Sequence, residues 1–328
     1  MNHRQRLEAV LAGTEIDRPP VALWRHFPVD DQHPETLAKS ILLFQKTYDF
    51  DFVKITPASS FCVVDHGVRD EWKGNPEGTR CYTQYPVNSP EDWEKLRHLS
   101  PVEGHLGRQL ECIRHIKNGL PSDTPFIQTI FDPMAQAKNL AGRENLLVHM
   151  RQHSEKLLGG LEILMRSTIE FIQECIKLGV DGIFFAIQHA QASLLTKDEV
   201  SRFITPFDEQ ILRASASLWL NVEHLHGKDL YFDAVPKLGV SVLNWHDQET
   251  YPSLASAASS FSGAVCGGLR QWETLVYGNP KKVSEGAENA IASSGTTRFI
   301  LGTGCVLPII APHSNIISAR QAVENIVL

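Results

Sequence analysis

Short apolar runs alternate with amphipathic segments along most of the chain. Eight runs have the length and composition of strands, and the last five are continuous apolar runs typical of strands covered on both faces. The eight runs are Pro20–Phe27, Phe52–Pro57, Pro125–Phe131, Asp181–Ile187, Asn221–His226, Val240–Trp245, Ala264–Leu269 and Arg298–Thr303. Helical spacing predicts helices over Glu35–Phe50, long stretches ending at Leu178, Asp229–Leu238, Pro252–Ser259, Pro280–Ser294 and Asn315–Leu328. Gly179 and Gly239 each follow a predicted helix, where a glycine cap is expected.

This alternation predicts an α/β protein. The number of repeats and the chain length favour a (β/α)₈ TIM barrel over a doubly wound sheet, and we expect a single domain over residues 1–328. No GxGxxG pattern follows the first predicted strand, and the sequence contains no GxxxxGK[ST], so neither nucleotide-binding pattern is present. In a barrel the active site lies where strands end and the following loops begin, so polar residues there become the candidates.

Composition narrows the class of protein. The chain has 31 Lys and Arg against 38 Asp and Glu, a net charge of −7, which disfavours nucleic-acid binding. No apolar run approaches ~18 residues, so no membrane-spanning helix is expected. The amphipathic first twenty residues lack the features of a signal peptide, and the six cysteines are scattered without CxxC spacing. These features predict a cytoplasmic protein with reduced thiols.

The sharpest local pattern is His224-Leu225-His226 at the end of a predicted strand. Residues two apart on a strand face the same side, so both imidazoles can enter one pocket. Two histidines and a thiolate form a common zinc ligand set, and Cys305 follows the last predicted strand. Asp247, after the next strand, would be a fourth ligand or an acceptor for an imidazole N–H. The alternative is that the histidines are ordinary and that Cys305 is a small packing residue.

Arg25 lies near the end of the first predicted strand. A guanidinium there can clamp a carboxylate or phosphate, and an ordinary surface ion pair is the alternative.

The order of several longer segments resembles the uroporphyrinogen decarboxylase superfamily, which includes zinc methyltransferases of the methylcobalamin:coenzyme M type. The segments are RPPVALWR, DPMAQAKNLAG, KLGVDGIFFAIQHAQASLLTKDEVSRFITPFDEQIL, GVSVLNWHDQ, VCGGLRQWETLVYGNPKKV and FILGTGCVLPIIAPHSNIISARQAVE. The resemblance runs nearly end to end. It implies a (β/α)₈ barrel and a possible homodimer, and it implies substrate-binding roles for Arg25, Asn139 and His189.

Departures from the decarboxylase pattern separate the two branches. Arg25 matches the first of two arginines in the opening motif, but the second is missing. Lys54 stands where the decarboxylases have an aspartate, Asn139 where they have a tyrosine, and Thr303 where they have the histidine of G-H-G. A cation in place of that aspartate reverses the electrostatics of the site. We therefore expect little or no uroporphyrinogen decarboxylation.

The methyltransferase branch instead carries H-x-C and a closing G-C that bind zinc. His224-Leu225-His226 stands at the H-x-C position, with His226 in place of the cysteine, and Cys305 matches the closing cysteine. The resemblance therefore implies that Zn²⁺ is held by His224, His226 and Cys305, with Lys54 and Asp247 as catalytic residues. A separate corrinoid protein would supply a methyl-cobamide, and a small anionic thiol or similar acceptor would be fixed by Arg25 and Lys54. The alternatives are a decarboxylase for a porphyrinogen or a smaller acid, and a non-catalytic barrel that binds a tetrapyrrole or corrinoid.

Overall fold

The computed structural model describes residues 1–324 and is built around a curled parallel sheet. Nine strands are present among these residues: β1 Val53–Ile55, β2 Arg69–Glu71, β3 Cys81–Gln84, β4 Phe126–Phe131, β5 Gly182–Ile187, β6 Val222–Leu225, β7 Val242–Trp245, β8 Ala264–Leu269 and β9 Phe299–Thr303. The main sheet has the order β1-β4-β5-β6-β7-β8-β9, and every neighbouring pair is parallel. All residues of β4 and β5 are buried, as expected where helices cover one face and the barrel interior the other.

The segment before Leu23 occupies the eighth position of the ring. Val21 bridges Leu301 of β9 in parallel, and on its other side the Val21 carbonyl accepts from the Asp51 amide at 2.9 Å. The predicted strand over Pro20–Phe27 is wrong in extent, because only this single bridge forms and Pro20 has no N–H to donate. The other seven predicted strands are confirmed within two residues at each end. The predicted α/β fold with a (β/α)₈-type barrel is confirmed.

Helices surround the sheet. Eleven are present among residues 1–324: α1 His3–Ala12, α2 Pro34–Tyr48, α3 Gly104–Gly119, α4 Pro133–Ala141, α5 Arg143–Gln152, α6 Ser154–Leu178, α7 Lys197–Phe203, α8 Thr205–Ser215, α9 Leu254–Ser260, α10 Pro280–Ser294 and α11 His313–Ala322. Gly179 caps α6 in the left-handed conformation, as predicted, with φ 85°. None of the described helices has the length and apolar character needed to cross a bilayer.

Two helix predictions need correction. Residues 229–238 form turns, because Asp229 adopts a positive φ of 52° and Pro236 cannot donate a helical hydrogen bond, so Gly239 follows a turn and not a helix. The last predicted helix begins at His313 and ends at Ala322. Its predicted continuation over residues 325–328, like the end of the predicted domain, lies outside the described residues.

A hairpin that the sequence did not predict crosses the carboxyl-terminal mouth of the barrel. Strands β2 and β3 pair antiparallel, and the connection between them reaches the loops after β8 and β9. The Pro76 carbonyl accepts from the Ile309 amide at 2.8 Å, and the Trp272 indole N–H donates to Glu77 at 3.3 Å. Gly78 lies so close to His26 that a Cβ there would approach the His26 Cβ to 2.6 Å. The hairpin tip is thus fixed over the barrel mouth.

An ion cluster centred on Asp51 closes the ring on the side of α1. The Asp51 carboxylate, which is fully buried, accepts from Arg6 at 2.6 Å, from Arg18 at 2.8 Å and from the Val21 amide at 2.7 Å. His3 lies 3.1 Å from the same carboxylate. Burial alone would raise the pKa of Asp51, but the hydrogen bond from His3 and the charges of Arg18 and Arg6 lower it to about 2.

Candidate metal centre

Four side chains of the kinds that can bind a metal meet at the carboxyl ends of β6, β7 and β9. They are His224, His226, His246 and Cys305, and one donor atom of each lies within 4.8 Å of all the others. The His226 Nδ1 is 3.5 Å from the His246 Nε2 and 3.7 Å from the Cys305 Sγ. The structure therefore brings together the three predicted ligands, and it adds His246. Three imidazoles and one thiolate suit zinc.

His246 was missed although the strand pattern contains it. In β7 the Asn244 side chain faces the same interior as His224, its register partner, while Trp245 packs outward against Phe232. Alternation then returns the next residue, His246, to the inner face beside His226. The residue predicted from the sequence was Asp247, which lies one position farther along the chain.

The hydrogen bonds of Asn244 fix the tautomer of His224. The Asn244 amide nitrogen donates to the Cys266 and Thr303 carbonyls, both at 2.9 Å, so its oxygen must be the acceptor for His224 Nδ1 at 2.7 Å. The proton of a neutral His224 ring therefore sits on Nδ1 and the lone pair on Nε2. That Nε2 is buried and has no hydrogen-bond partner in the described part of the chain. A buried, orphaned lone pair of this kind is what a metal ligand presents.

Burial keeps the donor atoms in their uncharged forms. Burial and the neighbouring His226 and His246 hold the pKa of His224 well below its usual range, and burial with His246 lowers that of His226 to about 4. Burial raises the pKa of the Cys305 thiol to about 11, an increase that the charge of Lys54 opposes. Neutral imidazoles are ready to bind a metal, whereas the thiol needs a bound cation to ionise near pH 7.

Asp247 lies outside this cluster. One of its oxygens accepts from the Gly268 amide at 3.1 Å and from the Gln248 amide at 2.7 Å. Its other oxygen is buried against Gly267. A Cβ built on Gly267 would lie 2.3 Å from that oxygen, so only glycine fits there. Burial raises the pKa of Asp247 to about 6. The imidazole acceptor that was expected at Asp247 is Asn244.

A cavity of about 120 Å³ opens above the cluster, with His224, His226 and Cys305 in its lining. Lys54 also lines it, with its ammonium 3.2 Å from the Thr56 hydroxyl and 4.4 Å from the centre of the Phe184 ring. Burial lowers the pKa of Lys54 to about 7, although the nearby Cys305 partly opposes the shift.

Two further groups that line the same cavity were missed. His26 comes from the segment that follows the eighth ring position, and Glu77 comes from the tip of the β2–β3 hairpin. No pattern in the sequence indicated that this hairpin crosses the mouth.

Arg25 is not brought to the cavity. Its guanidinium lies 5.1 Å from the ring centre of Phe27 and 5.6 Å from that of Phe44 in α2, and it donates to the Ile309 carbonyl at 3.3 Å. Trp24 and His26 line the cavity, so extended backbone turns the residue between them towards the helices. The expectation that Arg25 and Lys54 share one anion site therefore has no support in the geometry.

Asn139 and His189 are buried near the cavity without lining it. The Asn139 amide donates to the Ser59 carbonyl at 3.4 Å, and Ser59 itself lines the cavity. Burial, with the charges of Lys138 and His226, lowers the pKa of His189 to about 3. The Asn139 oxygen and the His189 Nδ1 have no partners among residues 1–324, and their predicted contact with substrate stays a prediction.

Comparison with known families decides the lineage. The family model described as uroporphyrinogen decarboxylase (URO-D) matches residues 2–326. This chain belongs to that family. The URO-D assignment agrees with the order of motifs along the sequence and with the barrel.

The relatives of this URO-D chain include methyltransferases. The methylcobamide:CoM methyltransferase MtbA of Methanosarcina acetivorans is 22% identical over 245 residues, which cover 74% of this chain and 70% of that protein. A methyltransferase from Methanosarcina mazei superimposes with a TM-score of 0.84 at 18% identity, covering 98% of each chain. A B12-independent methionine synthase from Shewanella sp. W3-18-1 has a TM-score of 0.57 at 14% identity, over 88% of this chain and 85% of that one. At these identities the two structural matches establish the fold alone.

We expect Asn244→Leu to weaken zinc binding about 10–100-fold, the usual cost of losing the partner that orients a histidine ligand. The leucine cannot accept the Nδ1 proton of His224, so the ring loses its fixed tautomer. Asn244→Asp is the matched variant, because it keeps the acceptor for His224, although it also loses the two donated bonds to carbonyls and adds a buried carboxylate. Competition with a chromophoric chelator measures both affinities. Equal affinity in the leucine variant and the unchanged protein would refute this role.

Proposed function

We propose that this chain is a zinc-dependent methyltransferase that moves a methyl group from a methyl-cobamide on a separate corrinoid protein to a small thiol. The observation that carries the proposal is the cluster of three imidazoles and one thiol, in which the His224 Nε2 is buried and has no hydrogen-bond partner among residues 1–324. The relationship to MtbA supports this choice of reaction within the URO-D family.

The residues present fit a zinc ion. His224, His226 and Cys305 would hold it, and His246 offers a fourth donor. Zinc in this set would act as a Lewis acid that lowers the pKa of an acceptor thiol, so that the thiolate forms near neutral pH. Asn244 keeps the His224 proton away from the donor atom, and Lys54 places a positive charge where the far end of the acceptor would lie.

The volume of the cavity limits the size of the acceptor that can bind in it. A volume of 120 Å³ is somewhat smaller than the ~150 Å³ of a cavity that holds one benzene molecule, which suits a small acceptor and is far below the size of a tetrapyrrole. The cobamide would therefore meet the acceptor from the barrel mouth. The methyl-cobamide would supply the methyl group without its bonding electrons: the sulfur–carbon bond would form as the cobalt–carbon bond broke, and that electron pair would stay on cobalt.

The proposal is tested with free methylcobalamin as the methyl donor and a panel of small thiols. We expect cobalamin demethylation, followed by absorbance, in protein that retains zinc, with loss on chelation and recovery on adding zinc. No demethylation by zinc-loaded protein with any thiol would contradict the proposal. Conversion of uroporphyrinogen to coproporphyrinogen at an appreciable rate would favour the decarboxylase alternative instead.

A further inference from the structure

Two opposite charges line the cavity above the metal-ligating cluster. Lys54 and Glu77 are the lysine and the glutamate of that lining, and Cys305 lies in the same wall. Their polar contacts are to neutral groups: Lys54 to the Thr56 hydroxyl, and Glu77 to the indole of Trp272. Within residues 1–324 neither forms a salt bridge, so each charge is available to a ligand.

Both charges are held in place. The Lys54 ammonium lies over the rings of Phe184 and Trp24, at 4.4 and 5.9 Å from their centres. Glu77 has one oxygen held by Trp272, while its other oxygen has no hydrogen bond in the described structure. Gly78, with φ 78° and no room for a Cβ, fixes the hairpin tip beside it. A ligand would therefore meet a cation and an anion at preset positions, which lowers the entropic cost of binding.

We infer that the methyl acceptor is a short zwitterionic thiol, an α-amino acid whose side chain ends in sulfur. Its carboxylate would bind Lys54, its ammonium group would bind Glu77, and its sulfur would lie at the cluster of His224, His226 and Cys305. This inference rests on the proposed methyl transfer and names the substrate class for it. The sulfur loses its proton and gains the methyl group from the methyl-cobamide, whose cobalt keeps the electron pair, and the product is the S-methyl thioether of the same amino acid.

Glu77 would determine which class of thiol the cavity binds. A thiol with only a carboxylate or sulfonate would leave Glu77 unpaired beside a second negative charge, and a thiol with only an amine would leave Lys54 unpaired. Both mismatches are penalised, because a partly buried charge that lost its water must be compensated by the ligand. The cavity volume of 120 Å³ also favours an acceptor with a short side chain.

The test uses thioether products, which need no metal to bind. Isothermal titration calorimetry on zinc-loaded and chelator-treated protein compares methionine with 4-(methylthio)butanoate, which lacks the ammonium group, and with 3-(methylthio)propylamine, which lacks the carboxylate. We expect methionine to bind about ten- to a hundredfold more tightly than either, as charge-assisted hydrogen bonds provide. Glu77→Gln should remove the advantage of methionine over the butanoate without weakening the butanoate. Glu71→Gln, at an exposed position of the same hairpin, is the control and should change neither.

The outcomes separate this inference from the proposed function. Equal affinity for methionine and the butanoate, equal weakening of both by Glu77→Gln, or no binding of any of the three ligands would overturn the inference. Thiol-dependent demethylation of methylcobalamin alongside any of those results would leave the methyltransferase proposal standing. Discrimination by Glu77 in a protein that never holds zinc would uphold zwitterion recognition and defeat the zinc mechanism.

Discussion

Cys305→Ala should lower zinc affinity by more than the ~10–100-fold that accompanies loss of an orienting partner. Cys305 supplies the one anionic donor among the four clustered side chains, so its removal leaves only neutral imidazoles around a dication. Methyl transfer should fall in parallel, because the acceptor thiol would no longer be held and ionised. The barrel should stay folded, since a chain of this size has a core of its own.

His224→Ala should act on the same equilibrium, so that the double variant loses much less than the sum of the two single losses. Cys266→Ala is the control, because Cys266 is a fully buried cysteine of the neighbouring strand β8 outside the cluster. It should lower the free energy of unfolding by about 1 kcal/mol and leave zinc bound. Metal analysis after dialysis and chelator competition measure these effects. A Cys305→Ala protein that keeps zinc as firmly as the Cys266→Ala protein would show that Cys305 is only a packing residue.

Asp51→Asn should lower the free energy of unfolding by about 3–5 kcal/mol, the cost of leaving a buried charge without its partner. Arg6 and Arg18 are buried and both bind the Asp51 carboxylate, which also accepts from the backbone of Val21. The substitution therefore loosens the contact between α1 and the segment that completes the ring. Asp17→Asn is the matched control, because Asp17 binds Arg6 while 38% exposed, and it should cost less than about 1 kcal/mol.

The pH dependence of this effect has a definite sign. The pKa of Asp51 is about 2 in the folded chain, below its ordinary value of 3.8. Its ionised form therefore adds stability that is complete above about pH 4 and disappears as the pH falls through 2. Between pH 7 and pH 2, the unfolding free energy measured with denaturant should fall by roughly 2 kcal/mol more in the unchanged protein than in Asp51→Asn. Equal unfolding free energies of the two proteins at pH 7 would refute the role of Asp51.

The sequence revealed the parts of the site that depend on spacing along one strand. Two histidines two residues apart had to share a face, and a cysteine just after the last strand had to reach the same mouth. His246 required the register between β6 and β7, which pairs His224 with Asn244 and which no local pattern shows. The hairpin that contributes Glu77 has short, mostly exposed strands without apolar alternation, so the signal used for the other strands was missing.

Arg25 shows the opposite limit. Arg25 was proposed as a substrate-binding residue because it matches a family motif. A motif match does not show which face of an extended segment a side chain occupies. Trp24 and His26 take the inner face, so Arg25 points to α2. The predicted helix over residues 229–238 failed for a related reason, since apolar spacing was counted without the constraint of Pro236.

Zinc K-edge X-ray absorption, on protein purified without added metal and analysed for metal content, tests the metal centre most directly. We predict one zinc per chain with one sulfur at about 2.3 Å and nitrogen ligands at about 2.0–2.1 Å. A protein without stoichiometric metal, or a zinc shell that contains no sulfur, would contradict the assignment of His224, His226 and Cys305 as its ligands.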